Sequence, residues 1–241
     1  MKKALGILAL LLGITISALP SRADGVSMTL TGVSSGGYNI DGVYTSPYTA
    51  TVGGAANTPV ICDDFADDSY IGESWSATVS TVADLAGNVK WGSETNAQQN
   101  YDIAAWLAEK LFAPGVTTTQ TEDISFAIWL ALDPTDVTNY LTNTSPDPGT
   151  LSAAQGWINT AENAISTQDL TSADFANVLV YTEVPGTAVD CNGGACPANS
   201  PQEFLVVTPE PGSLVLLLVG LIALVGIAYR RRNTIALAAA N

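Results

Sequence analysis

The 241-residue sequence predicts an α+β fold: a β-sandwich or barrel built from N- and C-terminal strands, an inserted helical subdomain, and a C-terminal transmembrane helix. Three observations carry that expectation. Short runs rich in Thr, Val and Tyr, punctuated by glycine pairs, occupy the chain from Val26 to Val82. Apolar residues then recur at helical spacing between Ile103 and Ile165, before strand-like runs return at Asn177. Near the end, an apolar run from Leu214 to Ala228 is closed by Arg230, Arg231 and Arg232. The organisation expected is a signal peptide at 1–23, an exported domain at 24–207, a sorting and anchoring segment at 208–232, and a short tail at 233–241.

At the N-terminus, Lys2 and Lys3 precede an apolar run beginning at Ala4, and Ser21-Arg22-Ala23 offers small residues at both positions a signal peptidase inspects. The run breaks at Pro20, short of the roughly 20 apolar residues of a membrane span. The mature chain is therefore expected to begin at Asp24, outside the cytoplasm.

The first strands are expected at Val26–Val33 and Val43–Val52, separated by Gly36-Gly37 and followed by Gly53-Gly54. Pro59–Phe65 and Ser74–Val82 continue the pattern. In the latter, Trp75, Ala77 and Val79 alternate with Ser74, Ser76 and Thr78, as in a strand with one buried face. Ile103, Ala104, Leu107, Ala108 and Leu111 then mark a helix ending before Pro114-Gly115. A second helix is expected to take Thr121 as N-cap, with Glu122 and Asp123 in its first turn, and to end at Asp133-Pro134. A third opens at Ser152 and aligns Ala154, Trp157, Ile158, Ala161 and Ile165. Strands resume at Asn177–Glu183 and Glu203–Val207.

Charge excludes one class of partner. Between Asp24 and Thr208, 22 carboxylates face only Lys90 and Lys110. Duplex binding depends on Lys and Arg displacing counterions from phosphate, so nucleic acid is excluded as a partner. Histidine is absent, which removes the commonest general base and metal ligand together with Ser-His-Asp and Cys-His mechanisms. No phosphate-binding glycine loop, zinc-type cysteine pair or GxSxG elbow is present. No catalytic residue, metal ligand or cofactor is expected, and the domain reads as non-enzymatic. Asp63, Asp64, Asp67, Asp68 and Glu73 form the densest acidic cluster. A solvated loop is the default reading, with calcium ligation or paired-carboxylate hydrolysis as the chemistry it could otherwise hold.

Three cysteines in an exported chain leave one over. Cys191 and Cys196 bracket the flexible Asn192-Gly193-Gly194-Ala195 and are expected to form a disulfide. Cys62 then keeps its thiol. Trp106 and Trp129 are expected to anchor helices in the core, whereas Trp75, Trp91 and Trp157 would serve sugar stacking if exposed.

Pro209-Glu210-Pro211, the apolar run and the arginine cluster together resemble the PEP-CTERM sorting domain of exopolysaccharide-producing Gram-negative bacteria. The resemblance covers about the last 30 residues. It implies recognition of Pro209, Glu210 and Pro211 by an exosortase in the membrane, with Arg230–Arg232 on the cytoplasmic side and a cell-envelope destination. Exopolysaccharide or another matrix component is the further partner it suggests. One departure is the continuation beyond Arg232 to Asn241.

Ile61-Cys62-Asp63-Asp64-Phe65, the stretch from Tyr101 to Leu107, and Ile124-Ser125-Phe126-Ala127-Ile128-Trp129 resemble the thioester-forming domains of bacterial surface adhesins. In that family a cysteine joins a helix glutamine to capture amines, and Cys62 fits the cysteine. Ser125 stands at the glutamine position, so no amide is available for the bond. The alternative reading is thus an adhesin that binds an amine or glycan.

Overall fold

The computed structural model describes residues 25–33, 39–40, 43–45, 47–85, 89–144, 149–191, 196, 201–208 and 219–222. The strands are β1 (Val26–Val33), β2 (Asn39–Ile40), β3 (Val43–Tyr44), β4 (Tyr48–Val52), β5 (Ala55–Cys62), β6 (Ser74–Thr81), β7 (Val178–Glu183) and β8 (Phe204–Val207). Six of them close an antiparallel barrel in the order β1-β4-β5-β8-β7-β6, while β2 and β3 form a separate two-stranded ribbon. Closure removes the unpaired edges that an open sheet would leave. The helices α1 (Ala97–Leu111), α2 (Thr118–Leu132), α3 (Pro134–Asn143) and α4 (Thr150–Thr167) all lie between β6 and β7 in the chain.

Of the sandwich or barrel expected, the chain forms the barrel, and two parts of the expected architecture are corrected. The strands do not split into a sandwich, because β6 pairs with both β1 and β7 and β8 joins β7 to β5, which seals the sheet on itself. The expected C-terminal transmembrane helix is not found either: no helix among the described residues is long and apolar enough to cross a membrane, and of the apolar run only 219–222 are described. The apolar run from Leu214 to Ala228 has 15 residues. The proposed signal peptide, Pro209-Glu210-Pro211, Arg230–Arg232 and the tail at 233–241 lie outside the described residues.

Local chemistry accounts for most element ends. Gly53 and Gly54 both take positive φ, 57° and 88°, in the two-residue link that sets Val52 opposite Ala55. That left-handed pair matches the twist of a tight hairpin and suits glycine. The cap of α2 is Thr117, not Thr121: its hydroxyl accepts from Gln120 N, and the Gln120 side chain reaches back to Thr117 N. Thr121 instead sits in the first turn. Asp133-Pro134 ends α2 but also opens α3, with Asp133 Oδ1 accepting from Asp136 N and Pro134 in the first turn. Thr45 parts the expected Val43–Val52 strand, and the Tyr48 hydroxyl donates to Tyr44 O across the break.

Two apolar regions meet to form the core. Inside the barrel, Trp75 stacks on Phe204 at 5.8 Å and Tyr48 meets Phe204 edge-on at 6.1 Å. Beneath it, Phe65 from the segment after β5 packs with Phe126, Trp129 and Tyr140 of α2 and α3. Residues following β5 thus carry the barrel onto the helices.

Candidate functional site

The acidic segment after β5 is not a solvated loop. Asp63, Asp64 and Glu73 are fully buried, and burying carboxyls at no gain in partners would cost several kcal/mol each. Partners for Asp64 and Glu73 come both from the adjoining backbone and from distant parts of the chain. Asp64 Oδ1 accepts from Lys90 Nζ at 2.5 Å and from the backbone N–H groups of Ala66 and Asp67 at 3.0 and 3.3 Å. Its Oδ2 accepts from Glu203 N at 3.3 Å. Asp67 Oδ2 takes a second Lys90 hydrogen bond at 2.6 Å. Burial pushes the Asp64 carboxyl up to about 6, against the opposing pull of Lys90. Burial alone would lower the Lys90 pKa, but Asp64 and Asp67 more than offset it and hold the ammonium above its usual range.

Glu203, the residue before β8, is a second hub. Tyr101 of α1 donates its hydroxyl to Oε1 at 2.5 Å, while Lys90 N donates to Oε2 at 2.9 Å and Thr182 Oγ1 donates to the same oxygen. Burial, then the Glu203 charge, holds the Tyr101 hydroxyl far above its ordinary pKa, so it stays a donor. Asp63 faces Glu203 with no N–H or O–H donor to either of its oxygens among the described residues. Two carboxyls can meet only if one keeps a proton. Burial first and Glu203 second raise the Asp63 pKa well above the carboxylate range, making it the neutral member. Asp64, Asp67, Lys90, Thr182, Glu183 and Glu203 line a cavity of about 180 Å³ above this cluster.

Cys62, the last residue of β5, is a fully buried thiol outside any disulfide. Its Sγ donates to Asp64 O at 3.1 Å, and the Trp129 indole of α2 approaches it. Burial, then the neighbouring Asp64 and Asp63, pushes the thiol well above its usual pKa, so the nucleophilic thiolate is suppressed. Ser125 lies one helical turn before Trp129, also buried, with its hydroxyl donating to Thr121 O at 2.8 Å. The fold therefore brings the Cys62 segment against the helix that carries Ser125.

Cys191 and Cys196 are joined by a disulfide with Cα atoms 5.0 Å apart. Cys191 Sγ lies 3.1 Å from Glu73 Oε1, and Tyr70 N donates to the other Glu73 oxygen. A disulfide sulfur has no proton to give and is a poor metal ligand, so the grouping of Glu73 with these two cysteines is not a metal site. Trp75 is buried inside the barrel; Trp91 lies beneath Lys90, whose Nζ is 5.2 Å from the ring centroid; Trp157 packs at the core margin. Trp75 is thus unavailable for stacking, while Trp91 and Trp157 are half-buried.

Lys90 and Glu203 lie in none of the motifs described above, and Tyr101 lies in one only as the start of a helical stretch. The available signal was scarcity, because a lysine that is one of two among 22 carboxylates is well placed to be claimed by several of them.

Barrel, helical layer and buried ionic hub define a self-contained domain whose last strand runs directly into a C-terminal appendage. Thr208 seals that junction, its N–H and hydroxyl both donating to Asn177 O. Residues 207–232 match the PEP-CTERM protein-sorting motif. No curated protein and no solved structure matches the chain. The chain is accordingly an exported protein, carrying the signal by which an exosortase-type enzyme sorts proteins to the cell envelope.

Proposed function

We propose that this protein is a non-enzymatic component of the cell envelope or extracellular matrix, delivered by an exosortase that reads Pro209-Glu210-Pro211, with exopolysaccharide or another matrix molecule as its neighbour. The observation that carries the reading is the sorting motif beginning at the final barrel strand. Support also comes from Asp64 and Glu203, whose carboxylate oxygens are engaged by Lys90, Tyr101, Thr182 and backbone N–H groups. Replacing Pro209-Glu210-Pro211 with alanines in the native host should trap full-length precursor and deplete the envelope and medium of the processed form. Normal processing of that variant would overturn the exosortase assignment.

A second reading, a glycan-binding adhesin, is favoured by one cavity. About 160 Å³ in volume, it is lined by Tyr44, Tyr48, Phe65 and Trp129 together with Asp67, Asp68, Ser69 and Gln202. Aromatic faces beside carboxylate and amide groups suit the mixed surface of a sugar. Titration with host exopolysaccharide fragments should quench tryptophan fluorescence in the parent and not in Tyr44→Ala; equal responses would dismiss this cavity as the binding site.

A further inference from the structure

Lys90 and Asp64 are placed for more than an ion pair. We propose that they form an intramolecular amide, Lys90 Nζ bonding to Asp64 Cγ, which covalently ties the segment after β5 to the segment that leads from β6 into α1. The carboxyl is buried and the amine is 2.5 Å from its Oδ1, with the lysine side chain only 24% exposed. Both reactants are held at a second point: the Lys90 backbone N–H by Glu203 Oε2, and Asp64 by three backbone N–H donors. Holding reactants in such a pose replaces a bimolecular encounter with an internal step of very high effective concentration.

The surroundings also supply the chemistry. A lysine attacks only as the neutral amine, and Asp67 Oδ2 at 2.6 Å from Nζ is positioned to take the proton. Attack on Cγ puts charge on the Asp64 oxygens, where Ala66 N, Asp67 N and Glu203 N already donate. The Nζ–Cγ bond forms, one Cγ–O bond breaks, and the hydroxyl of the protonated carboxyl leaves as water with one proton from the attacking amine, while the proton taken by Asp67 passes to solvent. No oxidant or further reactant is consumed. An Asp64 carboxyl raised to about 6 by burial reacts more readily than an ordinary aspartate, because the protonated acid is the electrophile. The carboxylates around Lys90 keep the neutral amine scarce, so bond formation follows folding and depends on the pose.

Trypsin gives a direct readout, because Lys90 and Lys110 are the only basic residues between Asp24 and Thr208. Protein isolated folded from its host, then denatured, reduced and digested, should resist cleavage after Lys90. It should yield one species ending at Lys110, lighter by about 18 Da than the linear sequence, from loss of water. Lys90→Arg retains the charge and cannot form the amide, so it should be cleaved at position 90 with no mass deficit. Asp64→Asn should reach the same product with loss of ammonia, about 17 Da from its own linear mass. Asp67→Asn should slow the bond, leaving a mixture of cleaved and uncleaved chains in freshly folded protein. Complete cleavage after Lys90 in folded parent protein, at the linear mass, would overturn the proposal. A deficit that persists unchanged in Lys90→Arg would do the same, by placing the lost water elsewhere.

Discussion

The hydrogen bond from Tyr101 to Glu203 spans 102 residues of sequence and fastens the first helix to the last barrel strand. Tyr101→Phe deletes one oxygen and leaves the ring, which is fully buried, in place. A hydrogen bond to an ionised acceptor is worth about 1.5–3 kcal/mol net. The other donors to Glu203, Lys90 N and Thr182 Oγ1, remain and absorb part of the loss, while the 3.4 Å contact from Trp91 N to the hydroxyl disappears. The expected cost is therefore about 2 kcal/mol. A domain of this size shifts in Tm by about 2–4 °C per kcal/mol, which gives a fall of roughly 4–8 °C by calorimetry at pH 7.

Glu203→Gln keeps the volume and an acceptor oxygen but removes the charge, and so should itself be destabilising. Combined with Tyr101→Phe it should lose less than the two single effects added, because the shared bond can be broken only once. Additive single and double variants would refute the claim that this pair couples α1 to the barrel. A Tyr101→Phe protein as stable as the parent would refute the magnitude as well.

Asp63 has a folded pKa raised above its unfolded value, so its contribution to stability is present below about pH 4 and is lost as pH rises through the folded pKa. Asp63→Asn removes that loss; its Tm relative to the parent should improve steadily from pH 4 to pH 8, and a pH-independent difference would count against the neutral assignment. Replacing Cys191 and Cys196 with serine opens a link of sequence separation 5. On the chain-entropy model it should cost about 2 kcal/mol in urea unfolding, and parent protein treated with reductant should match the variant. Cys62, fully buried, should resist thiol reagents in the native state and react completely only when denaturant is added; rapid native labelling would contradict its burial.

Strand positions were readable because alternation and glycine pairs are local signals. β1 (Val26–Val33) coincides with the run of Val and Thr that marks it, and the Gly53-Gly54 hairpin announces itself by residue type. What required distance was hidden. Barrel closure depends on β6 pairing with β1 on one side and, a hundred residues later, with β7 on the other, and no local pattern distinguishes that from two stacked sheets. Helix α3 stayed out of view because Asp133-Pro134 serves as terminator and initiator at once. Thr117, not Thr121, caps α2 because only Thr117 has glutamine three residues on to complete the reciprocal pair.

The acidic cluster shows the same limit at the site. Asp63 and Asp64 look like surface residues until Lys90, Tyr101 and Glu203 arrive from three other segments, and their burial is a property of that meeting. The thiol at Cys62 and the serine at Ser125 do come from neighbouring elements, the former reaching α2 through Trp129.

The junction at β8 links the fold to delivery. β8 lies between β5 and β7, so the barrel is open until that strand is in place. Its end is pinned where Thr208 donates twice to Asn177 O, one residue before Pro209. A proline there has no N–H to offer a ladder, and β8 itself ends at Val207. Cleavage beyond Thr208 would leave every barrel hydrogen bond and the Glu203 hub intact, whereas cleavage even a few residues earlier would remove β8 and expose β5 and β7 as edges. If the proposed exosortase cuts at the motif, its place after β8 lets the barrel be released whole, and moving Pro209-Glu210-Pro211 upstream into β8 is predicted to abolish accumulation of folded protein in the envelope even where processing continues.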